Sequence, residues 1–427
     1  MIKTLRNAWA MADLRKKILF TLFIIIIFRI GSVIPVPFID VAALKDSMTG
    51  AGANEFFSYL AVLTGGGLEY GAIFAMSVTP YINASIIIQL LTVAIPPLER
   101  LSKEGEEGRK KLAQITRYTT VVLGLIQGAA YYFYLQRSDM VNAEGGLLVF
   151  AAIVIIVCFT AGSALMMWLG ERIDEKGVGN GISILLFSGI ISRAPQAFAY
   201  LWSYLFINPV ATVAVVIGFL LIVAFIVWMT NSERRIPIQY AKRVVGRKMY
   251  GGQSTHIPIK VNMSGVLPII FASSILIIPT MILGFMSTPT GEPSTFYKVL
   301  RTFSYQGAFY AILYFILIIA FAYFYVSIQY NPVEMANNLR KNSGAIPGIR
   351  PGKPTADFIQ KIMSRITLLG ALFLSVIAIL PIAISGFSGM QIQIGGTSVL
   401  ILVGVALDTV QNLESQMMMR HYKGFLD

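Results

Sequence analysis

Along most of the chain, apolar positions come in unbroken runs rather than alternating with polar ones. Runs long enough to cross a hydrocarbon core of about 30 Å as helices fall near 18–34, 72–95, 115–135, 147–169, 180–206, 209–229, 263–286, 306–327, 366–385 and 397–416, predicting ten transmembrane helices. Between the first two lies FFSYLAVLTGGG, residues 56–67. Twelve residues at about 1.5 Å each reach about 18 Å, so this stretch cannot cross and predicts a short re-entrant helix. Two polar connections are longer than turns need. Residues 231–260 carry β-branched and aromatic residues around Gly251 and Gly252, which predicts a hairpin projecting from the membrane. Residues 331–358 pack glycine and proline around Arg350, which stiffens a loop and sets a charge at its tip.

Composition agrees: of 427 residues, 56% are hydrophobic and only 13% charged, the balance of a polytopic membrane protein. Lys3, Arg6, Arg15, Lys16 and Lys17 before the first run mimic a secretory leader, but no small-residue cleavage site follows, and the segment is read as uncleaved. Charge gives the orientation. If the N-terminus is cytoplasmic and the connections alternate, 28 of the 34 Lys and Arg fall inside, 5 outside, and Arg29 lies within the first span. That asymmetry places both termini in the cytoplasm. The spans split five and five at Pro209, giving halves 1–206 and 207–427. An odd number of spans per half forces the second half to run inverted relative to the first.

The chemistry that is missing narrows the function. Ionisable residues at membrane depth are nearly confined to Arg29 and Asp408, whereas coupled transporters keep several there. Arg29 is expected to snorkel or cap neighbouring carbonyls. His256 and His421 fall in cytoplasmic segments, and Cys158 has no cysteine partner in the chain. No Walker-type phosphate loop, HExxH or GxSxG occurs, so hydrolysis has no residues to carry it. No cofactor is expected, and any energy must come from a partner.

In LEYGAIFAMSVTPYINASIIIQLLTVAIPP (68–97), Val78, Ile82, Ser85 and Gln89 fall on one helical stripe. It is polar towards the cytoplasm and bare aliphatic deeper in. That fits a water-filled funnel narrowing to an apolar throat, and it equally fits helix packing with Ser and Gln as interhelical glue. Ile182 and Leu186 share a face at the same spacing. Leu186 lies ten residues beyond Lys176, and Ile270 ten beyond Lys260. Each is thus expected about 15 Å into the bilayer if the chain is helical throughout.

TPYINASIIIQLL (79–91), KEGEEGRKK (103–111), GVGNGISI (177–184), QSTHIPIKVNMSGVLPIIFASS (253–274), IPGIRPGKPT (346–355) and GGTSVLI (395–401) closely resemble the SecY family, the central subunits of the bacterial Sec protein-conducting channel. The match runs in order from the N-terminal tail to the last span. The resemblance implies an all-α polytopic fold of ten transmembrane helices in two inverted five-helix halves around a central pore, with a short re-entrant plug helix. The halves are hinged between spans five and six and part at a lateral gate between spans two and three on one side and seven and eight on the other.

By the same resemblance, an aliphatic pore ring falls on Val78, Ile82, Ile182, Leu186, Ile270 and Ile401. Val78 and Leu186 depart from the family's isoleucine but keep the ring aliphatic. The plug corresponds to residues 55–67, including Phe56, Phe57, Tyr59, Leu60 and Leu63, with Gly65, Gly66 and Gly67 as the permissive backbone on which it swings. Gln89, Thr120 and Asn262 would form a polar latch across the gate. Pro268 would kink the seventh span.

The resemblance also implies partners. Arg243 and Arg247 on the hairpin and Arg350 at the loop tip would dock the SecA motor or a translating ribosome, through 231–260 and about 331–365. SecE and SecG would be the small membrane subunits, and the substrates are signal sequences and nascent polypeptides, released sideways into membrane lipid. The expected location is the bacterial cytoplasmic membrane. A channel wide enough for polypeptide must seal without holding particular side chains, and aliphatic tips meet both needs because they gate by dewetting and offer no hydrogen bonds. A small-solute transporter and an assembly scaffold are the competing readings from residues alone.

Overall fold

A computed structural model describes residues 2–49, 64–240, 243–245, 248–250, 254–285, 294–303, 308–388 and 396–423. Helix α1 (Ile2–Ala10) leads into α2 (Ala12–Gly31) and α3 (Val41–Thr49). Next come α4 (Thr79–Ala94), α5 (Pro96–Lys103), α6 (Glu106–Arg137), α7 (Leu147–Lys176), α8 (Gly181–Ile191), α9 (Ala194–Leu205) and α10 (Pro209–Asn231). Strands β1 (Glu233–Tyr240), β2 (Arg243–Val245), β3 (Lys248–Tyr250) and β4 (Ser254–Lys260) follow. The chain continues through α11 (Leu267–Phe285), α12 (Thr295–Arg301), α13 (Ala308–Gln329), α14 (Pro332–Lys341), β5 (Gly344–Ala345), α15 (Lys353–Ser388) and α16 (Gly396–Lys423).

Helix occupies part of each of the ten apolar runs. Among the described residues, six helical stretches are long and apolar enough to cross a membrane, α8 with α9 and α13 with α14 each counting as one, and a seventh if α4 and α5, bent by 102°, count as one span. The remaining runs fall short for identifiable reasons. Helix α2 carries Asp13, Arg15, Lys16, Lys17 and Arg29, while α6 opens with a charged turn and is diluted by Gly, Tyr and Gln. For α11 the described side chains form an apolar stretch only over Leu267–Leu276.

The second run does not start as helix. Residues 64–78 wind as successive turns, and the helix begins at Thr79, where Pro80 suits a first turn that needs no N–H donor. The fifth run breaks at Ser192 and Arg193 into α8 and α9. Proline at Pro96 starts α5 where α4 ends at the bend.

The expected hairpin is present as an antiparallel ladder. β1 and β4 pair antiparallel from Glu233↔Lys260 to Gln239↔Ser254, and β2 and β3 continue the same register to Val245↔Lys248. The innermost pair of this ladder is Val245↔Lys248. The second connection is not a free loop. It folds as α14, capped by the Asn331 side chain accepting from the Val333 and Glu334 amides, and then adds β5 to the edge of β1 through Gln239↔Ala345 and Tyr240↔Gly344. Ile236, Ile238 and Ile259 bury against Leu339, Ile346, Ile359 and Met363. The two basic connections thus form one body.

Candidate functional site, an aliphatic collar

Four helices converge at the centre. Val78 caps the N-terminus of α4 and Ile82 lies one turn in; Ile182 and Leu186 lie on α8, Ile270 on α11 and Ile401 on α16. All six join a single hydrophobic cluster, with Val78, Leu186 and Ile401 buried and Ile82, Ile182 and Ile270 half-buried against them. Two elements come from residues before Pro209 and two from after it, so the cluster spans both parts of the chain.

Local structure sets these positions. Asn180 caps α8, its side chain accepting from the Ser183 amide at 3.0 Å, and Asp174 accepts from the Gly181 amide at 2.7 Å. These two bonds fix the short turn between α7 and α8. A Cβ on Gly170 would come within 2.5 Å of Ile182 Cδ1, so the missing side chain is the notch that seats Ile182. The depth estimate is corrected by the same turn. Helix starts only at Gly181 before Leu186 and at Leu267 before Ile270, so neither residue is reached by ten residues of continuous helix.

Sequence reasoning missed the second tier. Phe28 and Phe74 stack with centroids 6.3 Å apart, and with Ile24, Ile173 and Val405 they back the collar. Their apolar character was visible; their convergence across long stretches of chain was not.

The gate residues do not form the expected latch. Gln89 is exposed. Thr120 is buried, and its hydroxyl donates to the Thr116 carbonyl at 2.7 Å. Asn262 is buried with Oδ1 unpartnered. Pro268 does not kink a span, because it is the second residue of α11, where its missing N–H breaks no helical bond; the proline inside that helix is Pro279.

Residues 50–63 lie outside the described residues, and with them the plug positions Phe56, Phe57, Tyr59, Leu60 and Leu63. Gly65 and Gly66 take left-handed φ of 64° and 91°, while Gly67 does not. The Gly65 carbonyl is held by Arg29 Nη1 at 3.2 Å, so Arg29 caps a carbonyl as expected. Arg243 lies on β2, Arg247 is outside the described residues, and Arg350 is exposed beyond β5. Among the described residues no group of three or more His, Cys, Asp or Glu could hold a metal ion.

Comparison with known proteins shows the family and the fold. A family model described as SecY matches residues 72–410. A protein translocase subunit SecY of Streptomyces galbus is 43% identical over 445 residues, and that of Halalkalibacterium halodurans 45% over 440, each covering the whole of both chains. Among solved structures, a protein-conducting channel aligns with TM-score 0.64 at 18% identity, covering 94% of this chain and 92% of that one. Canine Sec61 in a ribosome-channel complex aligns with TM-score 0.59 at 16% identity, covering 94% and 92%.

Proposed function

The chain belongs to the SecY family, the channel subunits of protein translocases, and from that premise we propose that the six-residue collar is the constriction through which unfolded polypeptide passes. It is a multi-pass membrane protein and not an enzyme. The observation that supports the constriction is the convergence of six aliphatic side chains from four helices in one cluster. Such a collar excludes water when empty, deforms around any residue, and gives no side chain a bond to linger on.

Around it we assign the remaining roles. Residues 1–206 and 207–427 are the inverted halves. Residues 55–67 are the plug. Gln89, Thr120, Asn262 and Pro268 mark a lateral gate through which apolar segments leave for lipid, each buried apolar side chain favouring lipid by about 1.5–3 kcal/mol. The unpaired Asn262 Oδ1 fits a gate whose polar contacts change with state. Arg243, Arg247 and Arg350 dock SecA or the ribosome, and the pairing of β5 with β1 supports their acting as one surface. A ribosome partner is named for the canine relative. SecE and SecG are the small subunits expected alongside, and the membrane is the cytoplasmic one, with both termini inside.

The test is a stalled translocation intermediate carrying photocrosslinkers at Ile82 and Ile401 in turn. Both positions should capture the same short stretch of substrate. Capture of lipid alone from both would overturn the constriction.

A further inference from the structure

The sheet that joins the two basic connections ends in strand edges that no described strand completes. Its order is β4–β1–β5, with nothing paired beyond β4 among the described residues, and β5 covers only Gln239 and Tyr240 of β1. Each edge carries a proline inside an Ile-Pro-Ile run, residues 236–238 on β1 and 257–259 on β4. The ladder fixes where those prolines point. The Val261 amide donates to the Ser232 carbonyl at 2.9 Å, one step beyond the Glu233↔Lys260 pair. Bonded and non-bonded pairs alternate in an antiparallel ladder, so Arg234↔Ile259 and Ile236↔Ile257 are bonded, while Arg235↔Pro258 and Pro237↔His256 are not. The Pro258 nitrogen therefore faces out from the free edge of β4, and the Pro237 nitrogen faces the side of β1 where β5 stops at Gln239. Any other residue there would offer an N–H. Both prolines are exposed, whereas Ile236, Ile238 and Ile259 are buried. Lys260 ties β4 to α16 through Gln411 at 2.8 Å, ten residues or about 15 Å of helix from Ile401 in the collar.

We propose that Pro237 and Pro258 keep the sheet from capturing the unfolded chain as it approaches the collar. The inference rests on the proposed passage through the collar and on the sheet lying on the side of entry. An unpaired strand edge templates the addition of another strand. Such addition draws its affinity from main-chain hydrogen bonds, which every extended polypeptide can make whatever its sequence. A channel must release whatever it admits. The collar does so by offering no hydrogen bonds, and the sheet does so by lacking a donor within each edge.

The experiment uses the full subunit in its membrane complex, with Pro258→Thr, a strand-forming residue that restores an outward N–H, and Pro237→Thr on the other strand as an independent variant. Export is timed for two unfolded precursors, an ordinary one and one with proline at every third position of a long segment, so that neither edge of an added strand keeps its donors. Pro258→Thr should slow the ordinary precursor about two- to tenfold, the range set by one added backbone hydrogen bond. It should leave the proline-rich precursor at the parental rate. A photocrosslinker in place of His256 should capture the ordinary precursor more in Pro258→Thr than in the parental background. Equal slowing of both precursors would mark a merely structural role and overturn the proposal, as would parental rates for both precursors in both variants. A stalled intermediate in the parental subunit carries the photocrosslinker at Ile401 in parallel. Capture of lipid alone there removes the passage reading, and this proposal with it; capture of substrate there with no effect of either threonine removes this proposal alone.

Discussion

The collar and the β1–β4–β5 sheet are both held by aliphatic side chains, yet they ask different things of them. In the collar, tips from four helices meet with no hydrogen bond among them, so any aliphatic side chain of similar volume serves. In the sheet, Ile236, Ile238 and Ile259 sit at positions fixed by a strand register, where a slip of one residue would turn every side chain to the other face. Their buried face anchors the surface that carries Arg350. The difference teaches that the collar is specified by chemical class and the sheet by individual residues in register; on the proposed roles, passage would tolerate aliphatic exchange where attachment would not.

The variants that break or sharpen this contrast begin with Arg350→Glu. Motor-driven translocation should be abolished while the amount of subunit in the membrane is unchanged, as read by export assays and immunoblots. Unchanged transport would remove Arg350 from the docking surface. Next is Ile238→Asp, which buries a carboxylate at a position only 2% exposed and should cost about 3–5 kcal/mol locally. Hydrogen exchange at β1 and β4 amides should then rise, leaving α4 and α8 protected.

In the collar, Ile401→Asn gives water a partner in a dry site and should raise resting conductance on the order of tenfold, measured in planar bilayers. Gly170→Ala drives a methyl into Ile182 and should cost about 1–3 kcal/mol, seen as a lowered Tm. The smallest effect is expected of Leu186→Ile, a volume-conserving exchange costing under about 1.5 kcal/mol, with conductance at the parental level. A large leak from that last variant would show that the collar depends on exact shape.

How much was legible follows the same division. The faces of α4 and α8 could be read because i, i+4 spacing is local. The hairpin of residues 231–260 could be read from its β-branched and aromatic residues, but its register, with Val245 opposite Lys248, could not. Pro268 was misread because a proline's effect depends on which turn of the helix it occupies. Residues 72–78 are as apolar as a span but run as turns, which composition cannot distinguish. Beyond local reach nothing signalled the pairing of β1 with β5 or of Glu69 with Arg193, where the partners are separated by more than a hundred residues.

The β1–β5 ladder carries a consequence for building chimaeras. Because the backbone of 239–240 is stitched to 344–345, neither of the two basic connections is a module that can be exchanged with a homologue's by itself. A graft that brings in one without the other would leave an open strand edge where the two now meet, and failure of such a hybrid would report a torn seam rather than a lost recognition residue.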